Sequence, residues 1–212
     1  MIAEAELLSA VDAMFEVSAL GLDSWPDPHR DRAPHDDEYS RVANVGRWRI
    51  VGARAEAWLK ALASCDLVEV ERDVEVQWRS PPGTRITRSD LVVPRATGAL
   101  PLVVARSRIG DTDDAGITLG LGAPADCVMW FPHCGCDACD TGADTELDQL
   151  DRYMINIVTG RFRRLSQGEQ QITVLDSVSW SGSASSHQRT LEVLADPSGW
   201  DELSGTSWLG EA

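Results

Sequence analysis

Lysine is nearly absent from this chain. Lys60 is the only one in 212 residues, and every other cation is arginine. Cations are scarce altogether, 19 against 34 acids, for a net charge of −15 and a pI near 4.5. A field of that sign opposes nonspecific attraction to nucleic-acid phosphates or to anionic lipid, so neither partner is expected. It suits solubility or a basic protein partner. GC-rich coding accounts for the arginine bias more simply than a need for forked guanidinium donors. Long apolar runs are missing too, and no window approaches the length a membrane-spanning helix needs. The opening Met1-Ile2-Ala3-Glu4-Ala5-Glu6 places acids where a secretory leader would be apolar, so a cytoplasmic protein is expected. There is no internal repeat and no low-complexity linker. Gly120-Leu121-Gly122 precedes Pro124 and no helix, which denies it the dinucleotide-binding fingerprint. The serines from Ser181 to Ser186, beside His187, lack the glycine-flanked elbow of a nucleophile. No complete catalytic constellation can be assembled.

What is present reads as one α+β domain over residues 1–212, with helices packed on a mostly antiparallel sheet. Leu7, Leu8, Val11, Met14, Phe15 and Ser18 follow helical spacing over 2–20, and Gly21 ends the run. Residues 22–39 lose periodicity and read as an irregular acidic loop. A second helix is predicted over 44–63, with Trp48, Val51, Ala55, Trp58, Leu59 and Leu62 on one stripe. From Leu67 to Trp78 apolar and polar residues alternate, as in a strand pair or one long bent strand. Leu91–Val93, Leu102–Arg106, Ile117–Leu121 and Cys127–Phe131 are further strands. A third helix is predicted over 144–159. Phe162–Leu165 and Ile172–Leu175 form a hairpin about Ser166–Glu169. Val178–Trp180 is a candidate strand, a short helix ends near Ala195, and Trp200 and Trp208 mark 196–212 as a docked tail.

Several local motifs occur in a fixed order: Trp25-Pro26-Asp27-Pro28-His29, Glu38-Tyr39-Ser40-Arg41, Val51-Gly52-Ala53-Arg54-Ala55-Glu56-Ala57-Trp58, Gly98-Ala99-Leu100-Pro101-Leu102, Cys134-Gly135-Cys136-Asp137-Ala138-Cys139-Asp140, and Gly199-Trp200-Asp201-Glu202-Leu203-Ser204-Gly205. Together they resemble a largely actinobacterial family catalogued as domain of unknown function 6226. The resemblance covers nearly the whole chain. It implies a single-domain bacterial protein and carries no activity, substrate or catalytic residue. Members of that family often have Asp where this chain has His133.

The densest chemistry lies in 133–143, where Cys134, Cys136 and Cys139 fall within six residues. In a reducing compartment such thiols favour metal or redox use over structural disulfides. As a metal site, Gly135 lets Cys134 and Cys136 turn the same way while Cys136 and Cys139 form a knuckle at zinc-site spacing. His133 is the neighbouring candidate for the fourth ligand; Asp137, Asp140, Cys127, His187, His29 or a water are the others. Three thiolates blunt the Lewis acidity of an open ion, so a structural zinc is the leading reading. As a dithiol, the pair is disfavoured by Asp137, Asp140 and Asp144, which are expected to raise the thiol pKa values. The bland alternative is three small side chains in a tight turn.

Other groups have similarly plain readings. His29, His35, Asp36, Asp37 and Glu38 could gather a hard metal, but a solvated loop explains them. Arg161, Arg163 and Arg164 with Arg106 and Arg108 could clamp an anion, but balancing local acids explains them too. Cys65 and Cys127 read as buried thiols, and Trp48, Trp58 and Trp78 as core. The expectation is therefore a cytoplasmic binding or interaction domain of unknown partner, clipped by zinc at its cysteine turn. A thiol-redox or open-site metalloenzyme using the same cysteines is the alternative. A further one is an acidic inhibitor or immunity-type protein for a basic partner.

Overall fold

The computed structural model describes residues 2–176, 180–182 and 187–209. Helix α1 spans Glu4–Ser18 and buries Leu7 and Val11, one turn apart. The Glu6 carboxylate reaches back to accept the Ala3 N–H (3.1 Å), satisfying a donor that the first turn leaves free. Helix α2 spans Arg49–Ser64 and is the centre of the core, with Trp58, Leu59 and Leu62 fully buried. It starts later than the periodicity predicts. Asn44 is left-handed (φ 46°), and Val45–Trp48 winds as a 3₁₀ turn before the α-helix begins.

A six-stranded sheet lies against α2. Its strands are β1 Val68–Glu71, β2 Trp78–Ser80, β3 Arg85–Pro94, β4 Leu102–Ile109, β5 Thr112–Leu121 and β6 Ala125–Phe131, in the order β1-β3-β4-β5-β6-β2. All neighbours are antiparallel except β2 and β6. Leu102, Val104, Leu119 and Leu121 join the main core with the helices, while Val103 and Ala105 face the opposite side. This is the strand period of two.

The alternating stretch from Leu67 to Trp78 is not one bent strand or a hairpin. β1 and β2 sit at opposite edges of the sheet, so residues 72–77 cross its far face. The cause is Asp90 on β3, which is 0% exposed. Its carboxylate accepts the Asp73 N–H (3.1 Å) and pairs with Arg72 (3.0 Å), turning the chain where Asp73 takes φ 53°. Val76 and Trp78 then pack over Val103, Ala105 and Ala125. Gly120 makes room for this crossing, because a Cβ there would lie 2.6 Å from the Trp78 ring. Gly120 is thus a strand residue under an indole, with the turn beginning at Gly122.

Helix α3 spans Ala143–Val158. The hairpin β7 Arg163–Gln167 and β8 Gln170–Val174 belongs to a second, four-stranded sheet, ordered β10-β7-β8-β9. In it β9 is Trp180–Gly182 and β10 is Asp201–Ser204; α4 spans His187–Ala195. Residues 177–179 and 183–186, which held part of the predicted strand at Val178–Trp180 and most of the serine stretch, lie outside the described residues. Two sheets therefore replace the one expected. The tail residues contribute an edge strand, and Trp208 is buried with its N–H donating to Val158 O (2.8 Å). Buried Arg164 ties the sheets together by donating to the Cys127 and Val128 carbonyls (2.7 and 2.6 Å). The candidate anion clamp is dispersed: Arg161 pairs with Glu4, Arg163 with Glu202, Arg106 with Glu56 and Arg108 with Asp113.

Between α2 and α3, Asp151 accepts Arg54 Nε (2.9 Å), Arg54 Nη2 (2.6 Å) and Trp58 Nε1 (2.6 Å). The Arg54 side chain is 8% exposed, whereas its other partner, Asp12, is 69% exposed. Removing Asp151 strands a buried guanidinium and an indole N–H. Asp151→Ala should lower stability by about 2–4 kcal/mol, and Asp12→Ala by less than about 1 kcal/mol. Urea unfolding midpoints of the two variants test this contrast, and equal losses would contradict it.

Candidate metal centre

Strand β6 runs out at Phe131, and the chain enters the cysteine turn through buried Pro132. Trp130 Nε1 donates to the His133 carbonyl (3.2 Å), and the two rings stack at 5.0 Å. Asp137–Cys139 then winds as a single 3₁₀ turn with Cys136 in an extended conformation at its N-terminus. The Cys139 N–H donates to the Cys136 carbonyl (3.2 Å), and the Cys134 thiol lies 3.2 Å from the Cys136 sulfur. The sulfurs of Cys134, Cys136 and Cys139 all lie within 4.8 Å of one another, so one metal ion could take all three. Cys136 is buried; Cys134 and Cys139 are exposed. All five cysteines are free thiols.

His133 lies outside this group, and the face of its imidazole stacks on the Trp130 ring. Nor, among the described residues, do Asp137, Asp140, Cys127 or His29. His187 is the first residue of α4.

Hydrogen bonding by Cys134 pulls the Cys136 thiol down; Cys139, crowded by Cys136 and Cys134, is pushed up to about 12. The aspartates do not act on the thiols as expected. Asp137 turns away from the sulfurs and accepts the Ala43 N–H (2.8 Å) and Arg41 Nε (2.7 Å), which hold its carboxyl below the ordinary range. Its own N–H donates to Arg41 O (2.8 Å), and its carbonyl meets His29 Nε2 (2.8 Å). Asp140 accepts Trp25 Nε1 (2.8 Å) and the Gly142 N–H (2.9 Å), and pairs with Arg47 (3.1 Å). The Arg47 guanidinium lies over both Trp25 (5.7 Å) and Trp48 (5.2 Å).

Residues 25–47 are thus an arm seated on the turn through Trp25, His29, Arg41, Ala43 and Arg47, while His35, Asp36 and Asp37 stay exposed. Gly142 (φ 83°) completes the seat: a Cβ there would stand 2.5 Å from the Asp27 nitrogen. Farther along the arm, Asp36–Ser40 forms a 3₁₀ turn. Its Glu38, 6% exposed, accepts two hydrogen bonds from Arg32 (2.8 and 2.6 Å) and the His35 N–H (2.6 Å). Sequence reasoning missed Trp25, Arg41, Arg47 and the aspartates as a connected set. The available signal was the pair Asp137 and Asp140, three apart like Cys136 and Cys139 but one residue out of phase. Glu146 on α3, also buried, is pushed up by burial and bonds Thr141.

A family model described as a family of unknown function (DUF6226) matches residues 11–207, and the chain belongs to that family. No curated protein and no solved structure matches it.

Asp137→Ala should cost about 1–3 kcal/mol, because it leaves the Ala43 N–H without its acceptor, while half-exposed Arg41 keeps Asp37 and Glu38. It should also open residues 25–47 to limited proteolysis, whereas exposed Asp36→Ala should leave both unchanged. An intact arm in the Asp137 variant would overturn the seating role.

Glu38 adds a pH signature. The Arg32 hydrogen bonds first, and the His35 N–H second, draw its carboxyl from 4.5 down to about 2. A carboxyl depressed by folding stabilises above its unfolded pKa and loses that contribution as pH falls through the folded one. The melting-temperature gap between wild type and Glu38→Gln should be full at neutral pH and shrink between about pH 4.5 and about pH 2. A gap that stays constant over that range would mean that Glu38 acts through packing alone.

Proposed function

We propose that this member of the DUF6226 family is a cytoplasmic binding domain whose cysteine turn holds one zinc ion in a structural role. The observation that carries the reading is the convergence of three sulfurs on one point. Zinc–sulfur bonds of about 2.3 Å in a tetrahedron set sulfurs about 3.8 Å apart. The 3.2 Å pair and the 4.8 Å outer bound bracket that value, so small side-chain rotations suffice. The Cys134 thiol 3.2 Å from Cys136 favours there the thiolate that a metal requires. Cys134, Cys136 and Cys139 would supply three ligands, with the fourth coming from water or another molecule.

A structural role is favoured over a catalytic one by the neighbourhood. Glu146 is directed to Thr141 rather than toward a reacting group, and three thiolates spend much of the ion's acidity. The clip has an evident object: fixing the turn fixes Asp137 and Asp140, and through them the arm. A dithiol is the second reading, favoured by the lowered Cys136 thiol beside Cys134.

Elemental analysis of protein purified without reductant should find one zinc per chain, and Cys136→Ser should abolish it. Chelation should lower stability by about 3 kcal/mol or more, a fall in Tm of roughly 6–12 °C for a chain of this size. Metal-free protein that oxidises rapidly to a disulfide with its fold intact would replace the zinc reading with the dithiol one.

A further inference from the structure

The cysteine site is one-sided. Cys136 forms a buried floor, Cys134 and Cys139 stand exposed at the rim, and among the described residues no fourth side-chain donor joins them. The site is also built by contacts made elsewhere. The Cys139 N–H holds the Cys136 carbonyl, while Asp137 and Asp140 fasten the turn to the arm. An ion arriving from solvent therefore meets sulfurs already placed and pays little to order them.

A tetrahedral ion must complete its shell from outside this trio. An ion satisfied by three sulfurs needs nothing more. The three-coordinate candidates differ in the sulfur spacing they set. With bonds of about 2.3 Å, a planar trigonal ion sets sulfurs about 4.0 Å apart, whereas a pyramidal ion with near-right angles sets them about 3.3 Å apart. The Cys134–Cys136 separation is 3.2 Å. Soft thiolates select soft ions.

We propose that Cys134, Cys136 and Cys139 capture a pyramidal, three-coordinate, thiophilic ion, trivalent arsenic supplied as arsenous acid. The inference rests on the reading of the turn as a metal-binding site and adds a second class of ligand to it. Capture is ligand exchange. Three S–H and three As–O bonds break, three As–S bonds form, and each thiol proton leaves on a displaced hydroxide, releasing three waters. Arsenic stays trivalent and no electrons move.

The test titrates arsenite into full-length reduced protein, zinc-loaded and zinc-free, with intact-mass and free-thiol readouts. One arsenic per chain, with three of the five thiols consumed and bound zinc released in equal amount, is the expected result. Cys65→Ser and Cys127→Ser should bind as wild type does, and serine at 134, 136 or 139 should abolish three-thiol capture. Should those variants fail to fold, the wild-type thiol count and zinc displacement still decide the matter. Protein that holds zinc but leaves its thiols untouched by excess arsenite, or consumes only two, overturns this inference and leaves the zinc reading standing. Protein that takes up neither overturns both, and arsenic without zinc uptake upholds capture alone.

Discussion

The Asp137 carboxylate, facing away from the sulfurs, is the constraint on which the site depends. A 3₁₀ turn of three residues has too few hydrogen bonds of its own to fix its orientation. Here the orientation comes from one residue used four times: Asp137 donates its N–H to Arg41 O, presents its carbonyl to His29, and accepts Ala43 N–H and Arg41 Nε on its carboxylate. With that face occupied, the sulfurs are left on the other. The metal-binding geometry and the docking of residues 25–47 are consequently two sides of a single turn, and neither can shift without the other.

The same economy appears in the sheet. A buried carboxylate without partners would be costly, yet Asp90 is fully enclosed. Its partners, Arg72 and the Asp73 N–H, are the residues at which the chain leaves β1 for the far face. Asp90 therefore acts as a corner. It turns a sequence patterned as continuous strand into two edge strands with a crossing between them, and the crossing covers an apolar face that the helices leave bare.

Much of this architecture was legible because burial imposes periodicity. The three long helices appear where apolar spacing places them, and the mostly antiparallel strands of an α+β fold follow alternation and turn residues. The reading failed where polar side chains do the organising. The β3 residues Arg85-Ile86-Thr87-Arg88-Ser89-Asp90 lack a strand's apolar alternation, yet they pair with β4. Residues 22–39 look solvated because their charges are evident, whereas the contacts of Trp25 with Asp140 and His29 with Asp137, more than a hundred residues on, are not. In the cysteine turn, spacing held more than composition. Residues three apart eclipse one another in a 3₁₀ turn. Cys136 and Cys139 therefore share one edge, while Asp137 and Asp140 share the next. Composition alone places acids beside thiols; the spacing separates them.

That separation bears on the arginine bias. Acids outnumber cations here, so each buried cation must serve several acceptors, and the guanidinium can where an ammonium cannot. Arg54 puts Nε and Nη2 on Asp151 and Nη2 on Asp12, Arg72 joins Glu56 to Asp90, and Arg41 joins Asp37, Glu38 and Asp137. Arg47 adds a flat face to its charge and lies over two indoles while pairing with Asp140. The solitary Lys60 meets a single hydroxyl, Ser18 Oγ. Whatever set the codon usage, these forks fit long-range links between elements. An arginine-to-lysine exchange at 41, 47 or 54 keeps the charge and loses the link.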